Sequence, residues 1–148
     1  MIIYTHLEDY INDLYGHLAI TDPHQLEVDH IARKLRLEVF YGSASLRFNN
    51  DIVIKESTKQ REWQSFGHEL CHFLRHIGSH LSMNHLFIDL QEDQANHFSY
   101  HFCVPTFMLN ELKEVNAHEV MTLFNVEEEF AFRRLEMYQS KLISVKGM

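Results

Sequence analysis

The sequence predicts an α+β fold, mainly helical, with a small antiparallel β-sheet. Two patterns predict it. Apolar residues recur at spacings of three and four along most of the 148 residues, the stripe expected of helices that bury one face. Between residues 39 and 55 that period gives way to three short runs rich in β-branched and aromatic residues, as expected of strands. A length of 148 residues, 45% of them hydrophobic and 23% charged, fits one unit with a sizeable core. Residues 1–148 are therefore read as a single domain, with 106–148 as a C-terminal helical extension.

In chain order, Thr5-His6-Leu7-Glu8 forms a capping box that opens a helix running to about His17. Asp22-Pro23, a cap followed by a first-turn proline, opens a second helix. Its Leu26, Val28, Ile31, Ala32 and Leu35 face the core. Val39-Phe40-Tyr41, Ser45 to Phe48 and Ile52 to Lys55 read as three antiparallel strands. The last two pair as a hairpin around Asn49-Asn50-Asp51. The strand Ile52 to Lys55 forms the floor or rim of a cleft beside the next helix; as an edge it could accept an extended peptide through main-chain hydrogen bonds.

Ser57 to Ile77 reads as one helix, with Ser57 or Thr58 as cap, Gln60 as a capping-box partner for Ser57, and Gly78 where it stops. Trp63, Phe66, Leu70, Phe73, Leu74 and Ile77 form its apolar stripe. Gly78 to Asp89 lacks periodicity and reads as a loop, either a flap or a plain connection. A further helix from Leu90 runs to Cys103 before Pro105 stops it. Three more follow at about 106–114, 117–124 and 127–143.

The chemistry is concentrated in His68-Glu69-Leu70-Cys71-His72. On a helix, residues i and i+4 lie about 40° apart around the axis and about 6 Å apart along it, so both rings can reach one metal ion. Glu69 sits to one side, where it can take a proton from water whose pKa the metal lowers toward about 7. The competing reading is a pair of surface histidines on an ordinary amphipathic helix, in a chain with 12 histidines. A catalytic site needs a third protein ligand and an open position. Glu92 is well placed to supply the ligand, with Asp93 as the alternative donor about 100° around the helix. Glu92, Asn96, Ser99 and Cys103 share one face, and Ala95, Phe98 and Phe102 form the apolar stripe next to it. Asn96 can then hydrogen-bond a liganding histidine from the side. Cys71 points about 100° away from His72 and reads as a small buried apolar residue.

Residues 61–74, 92–105 and, more weakly, 120–126 with Arg134-Leu135 together resemble the ImmA/IrrE family of small metallopeptidases, relatives of the thermolysin-like peptidases. Cys71, Gln94 and Ser99-Tyr100 stand where the family usually has glycine, glutamate and small residues. The resemblance implies a zincin-like domain holding Zn2+ through His68, His72 and Glu92, with Glu69 as general base and proton donor. It also implies a substrate class, the helix-turn-helix transcriptional repressors of mobile elements, prophages or stress regulons, whose inactivation derepresses genes. An alternative from another class is an antirepressor that keeps the fold and inactivates its partner by binding. A structural zinc site is a third reading, and it would need a fourth protein ligand such as Cys103 or Asp93. A second stabiliser of the oxyanion is expected from Tyr100, His76 or His97 on the motif helices, or from His80 or His85 in the loop.

No apolar run approaches the roughly 20 residues that span a bilayer, and the acidic start Thr5 to Asp9 does not read as a secretory signal. With two cysteines and no disulfide framework, the expectation is a cytoplasmic protein. A formal charge of −8 argues against direct nucleic-acid binding and is compatible with a basic protein partner. The segment around Phe124-Asn125-Val126 looks like a helix-turn-helix, yet Glu127-Glu128-Glu129 would repel phosphate. That region is read as a packing or partner surface.

Overall fold

The computed structural model describes residues 5–48, 51–75 and 85–146, with side chains for 5–45, 51–75 and 89–140. Helix α1 spans His6–His17, α2 Val28–Leu35, α3 Lys59–Arg75 and α4 His85–Cys103. After them come α5 (Thr106–Leu109), α6 (Ala117–Phe124) and α7 (Glu128–Lys146). The strands are β1 (Glu38–Gly42), β2 (Leu46–Phe48) and β3 (Asp51–Lys55). Helices dominate, and the α+β class holds.

The sheet corrects one expectation. Its order is β1-β3-β2, and β1 runs parallel to β3, with Glu38 opposite Asp51 and Gly42 opposite Lys55. Only the β2–β3 pair is antiparallel, with Leu46 opposite Val53. Parallel neighbours normally need a crossover of about a dozen residues; here β2 lies within the connection between them. The sheet is therefore mixed. Its central strand is β3, whose Ile52 and Ile54 are fully buried. Strand β3 is not an edge and cannot take on an added peptide strand; among the described residues the outer strands are β1 and β2.

The capping box of α1 forms as expected: Thr5 Oγ1 accepts from Glu8 N at 3.1 Å, and Glu8 Oε1 accepts from Thr5 N at 2.9 Å. The helix expected from Pro23 is broken. Gln25 Oε1 accepts from the backbone N–H groups of Thr21 and Asp22, closing a 3-10 turn at Pro23–Gln25. Leu26 and Glu27 leave the helical region, and α2 starts only at Val28. The short turn satisfies those donors locally and lets Leu26 enter the core.

Thr58, not Ser57, caps α3, accepting from Arg61 N at 3.2 Å. Ser57 N instead donates to Glu62 Oε2 at 3.2 Å. The end expected for this helix at Ile77 and Gly78 lies outside the described residues, as do Asn49 and Asn50 of the expected turn. Helix α4 begins at His85, so it takes in the last part of the segment read as a loop; residues 76–84 of that segment lie outside the described residues. Helix α5 is shorter than expected, ending at Leu109, where Asn110 Oδ1 turns aside to accept from Tyr138 Oη at 2.7 Å.

The core sits where α3, α4 and α1 pack together. Trp63, Phe66 and Leu70 of α3 meet Phe98 and Phe102 of α4, and Tyr15 of α1 stacks on Phe102 with centroids 5.2 Å apart. Aromatic contacts of this kind add about 0.5–1.5 kcal/mol to the burial itself. Tyr15 Oη also donates to the carbonyl of Phe102 at 2.6 Å. These contacts fix how α3 and α4 lie against each other, and that placement sets the distance between the motif residues.

Candidate metal centre and its cleft

The apolar stripes of α3 and α4 face the core, which turns the polar edge of each helix toward the other. Two hydrogen bonds hold those edges together. Ser99 Oγ donates to the carbonyl of Gln64 at 2.7 Å, and Cys103 Sγ reaches the carbonyl of Trp63 at 3.5 Å. Gly67 makes this approach possible, because a Cβ there would lie 2.8 Å from Ser99 Oγ and 3.1 Å from Cys103 Sγ. The expected face of Glu92, Asn96, Ser99 and Cys103 is thus the face that α4 presents to α3.

One turn beyond that contact, the ligand-type atoms converge. His68 Nε2 lies 2.8 Å from Glu92 Oε2, and His72 Nε2 lies 2.8 Å from Glu92 Oε1. One donor atom each from His68, His72 and Glu92 fall within 4.8 Å of one another. Among the described residues no other group of three or more such side chains could hold a metal ion. His68 Nδ1 lies 2.8 Å from Asn96 Oδ1. An amide oxygen only accepts, so the ring donates its Nδ1–H there and turns Nε2 toward Glu92. In a neutral ring that nitrogen carries a lone pair, which would face carboxylate lone pairs at 2.8 Å. A cation relieves this repulsion, so the donor set fits a metal ion, and two imidazoles with one carboxylate suit zinc.

Glu69 and His72 are buried, while Glu92 is 40% exposed. A cleft of about 600 Å³ opens over the group, lined by His68, Glu69, Asn96, Ser99, Tyr100 and Phe130, among others. Its size lies within the range of roughly 300–1,000 Å³ typical of ligand sites. Tyr100 and Phe130 pack with centroids 4.4 Å apart and form an aromatic wall. Phe130 is held there by Glu127, which accepts from Arg61 Nε at 2.9 Å and Gln64 Nε2 at 3.1 Å. Gln64 Oε1 in turn accepts from Glu127 N at 2.8 Å. The acidic start of α7 therefore packs on α3 through Glu127.

Several sequence candidates lie elsewhere. Cys103 is fully buried behind the α3–α4 contact, and its thiol is pushed up by burial. It cannot serve as a fourth ligand there. Asp93 is exposed and lines a separate pocket with Cys71, Arg75 and His97, which removes it as an alternative ligand and removes His97 from the catalytic side. Cys71 is buried, as expected. Of the candidates for a second stabiliser, only Tyr100 lines the cleft among the described side chains; those of His76, His80 and His85 lie outside them. Gly67 and Phe130 were not singled out from the sequence. The glycine's position directly before His68 was the available signal; nothing local marks Phe130.

The model of the Peptidase_M78 family, described as the IrrE N-terminal-like domain, matches residues 28–136. The chain belongs to the M78 peptidase family. The match runs from the first residue of α2 into α7 and includes every residue of the site. The resemblance carried by residues 61–74 and 92–105 therefore holds. The chain is similar to the phage-like element PBSX protein XkdA of Bacillus subtilis (strain 168), with 42% identity over 153 aligned positions covering 96% of this chain and 77% of that protein. It is also similar to the uncharacterized protein YqaB of the same strain, with 35% identity over 149 positions covering 93% and 87%. No solved structure matches. No helix among the described residues of this M78 chain is long and apolar enough to cross a membrane.

Proposed function

We propose that the protein is a zinc-dependent endopeptidase whose substrate is a helix-turn-helix repressor, and that its cleavage derepresses genes of a phage-like element in the cytoplasm. The observation that carries this reading is the convergence of His68, His72 and Glu92 at a cleft that also contains Glu69. Family membership supports the peptidase class, and the name of the relative XkdA supports the phage-element setting. The charge of −8 suits a basic DNA-binding partner.

His68, His72 and Glu92 would hold the zinc ion, which when bound supplies Lewis acidity that polarises a carbonyl and makes water a nucleophile near neutral pH. Asn96 keeps the His68 ring in the tautomer that offers Nε2. Glu69, buried at the cleft floor, takes a proton from the attacking water and returns it to the amine that leaves when the peptide C–N bond breaks. The aromatic wall of Tyr100 and Phe130 gives a substrate side chain an apolar surface to rest on.

Glu69→Gln tests this reading. The variant is expected to keep its fold and its stoichiometric zinc, while losing at least about 100-fold in turnover of the repressor and failing to derepress its genes. If the zinc-loaded variant derepresses as well as wild type, the protein acts by binding its partner as an antirepressor, and the peptidase reading falls.

A further inference from the structure

Glu127 stands immediately before α7, and its carbonyl accepts from Ala131 N at 2.9 Å, the first hydrogen bond of that helix. Its side chain turns the other way, to α3. Oε1 accepts from Gln64 Nε2 at 3.1 Å and Oε2 from Arg61 Nε at 2.9 Å. Gln64 Oε1 closes the clamp by accepting from Glu127 N at 2.8 Å. Bonds to an ionised group are stronger than neutral ones, and paired bonds add geometric specificity. The reciprocal pairing therefore fixes both the position and the rotation of the start of α7, which a single bond would not.

Phe130 lies less than one turn further on, so the clamp holds it in place. Its ring faces Tyr100 of α4 with centroids 4.4 Å apart, and both rings line the cleft. Helices α3 and α4 run antiparallel, since His72 meets Glu92, His68 meets Asn96 and Gln64 meets Ser99. Tyr100 and the clamp therefore stand one helical turn, or about 6 Å, from His68 along α3. An extended peptide rises about 3.3 Å per residue. A chain whose scissile bond lies at the metal centre then brings a side chain one or two residues away against this wall. Ser45, Ser65 and Ser99, which also line the cleft, have short side chains that leave room for a ring.

We propose that Glu127 is a positioning residue for substrate selection: its clamp to Arg61 and Gln64 holds Phe130 beside Tyr100, and these two rings select an aromatic side chain one or two residues from the bond to be cut. The proposal deepens the peptidase reading above and rests on it for the place of that bond. An aromatic ring suits the wall better than a small side chain, because it buries more apolar area and can meet both rings in stacked or edge-on contact. Glu127 is not among the residues that line the cleft, so it acts through Phe130.

N-acetyl-phenylalanine N-methylamide and its alanine analogue, titrated into full-length Glu69→Gln protein and followed by NMR, test this without turnover. The phenylalanine compound is expected to bind at least about fivefold more tightly. Phe130→Ala, which removes half of the wall, and Glu127→Ala, which opens the clamp, should each bring that ratio below about twofold. Affinity for the alanine compound and zinc content should stay as they were, which a general loss of structure would not allow. Gln64→Ala opens the clamp from the α3 side and should reproduce the effect, so if one variant fails to fold the other decides. Equal binding of the two compounds, or a ratio that survives Phe130→Ala or an opened clamp, would overturn the proposal. Because the readout involves no hydrolysis, a protein that prefers phenylalanine through Phe130 but cuts nothing leaves the aromatic site standing and overturns only the peptidase reading.

Discussion

At the scale of single residues, Gly67 decides how close Glu92 can come to the histidines. A methyl group there meets Ser99 Oγ at 2.8 Å and Phe102 Cδ2 at 3.3 Å, and Ser99 is already committed to the carbonyl of Gln64. Gly67→Ala is therefore expected to cost about 1–3 kcal/mol by overpacking and to move α4 outward, weakening zinc binding as well. Chemical denaturation and a competitive zinc titration measure the two effects separately. Asn96 makes the converse case. It is exposed and bonds His68 from the side, so Asn96→Ala should weaken zinc binding about 10–100-fold while changing stability by no more than about 0.5 kcal/mol. His68, His72, Glu92 and Asn96 were legible in the sequence because a spacing of four puts residues on one helical face. The role of Gly67 was not, since what a missing Cβ makes room for belongs to the neighbouring helix.

At the scale of elements, the chain states where helices begin more clearly than how strands are ordered. The ends of α1 and the span of α6 follow from caps, with Thr5 and Asn116 each accepting from a backbone N–H three residues on. Asn125, in the left-handed region with φ 55, ends α6 as expected of a residue type that tolerates it. Competition between neighbouring caps is harder to read. Thr58 and Ser57 are chemically alike, and the choice is made by Glu62, which takes the Ser57 N–H and leaves Thr58 to cap α3. Thr58→Ala should thus lower stability by about 1 kcal/mol and Ser57→Ala by much less, as urea midpoints would show. The β1-β3-β2 order was not legible for a different reason. Alternation along a strand tells which face is buried and says nothing about which strand lies beside it.

At the scale of the whole molecule, a buried polar network joins the first helix to the last. Glu8 accepts from Thr5 N and from Thr106 Oγ1. Arg134, 1% exposed, donates to Thr106 Oγ1 at 2.7 Å and to the carbonyl of Val104 at 2.9 Å. Burial brings the Arg134 guanidinium down to about 10, with Glu8 opposing the shift, so it remains charged at neutral pH. His101 lies near this charge and donates from Nδ1 to the carbonyl of His97 at 3.1 Å. Burial first, and Arg134 second, lower its pKa to about 4 from the usual 6.5. Between those two values the unfolded chain binds a proton at His101 that the folded protein does not, so acid favours unfolding. The stability that depends on a neutral His101 is complete above about pH 6.5, declines as the pH falls, and is gone below about pH 4, amounting to about 3 kcal/mol. His101→Leu keeps the site apolar and has no proton to gain. Its urea midpoint should therefore fall less steeply than that of wild type between pH 6.5 and 4, with parallel curves on either side of that window. Equal slopes across it would mean that acid sensitivity arises elsewhere, in the carboxylates rather than beneath Arg134.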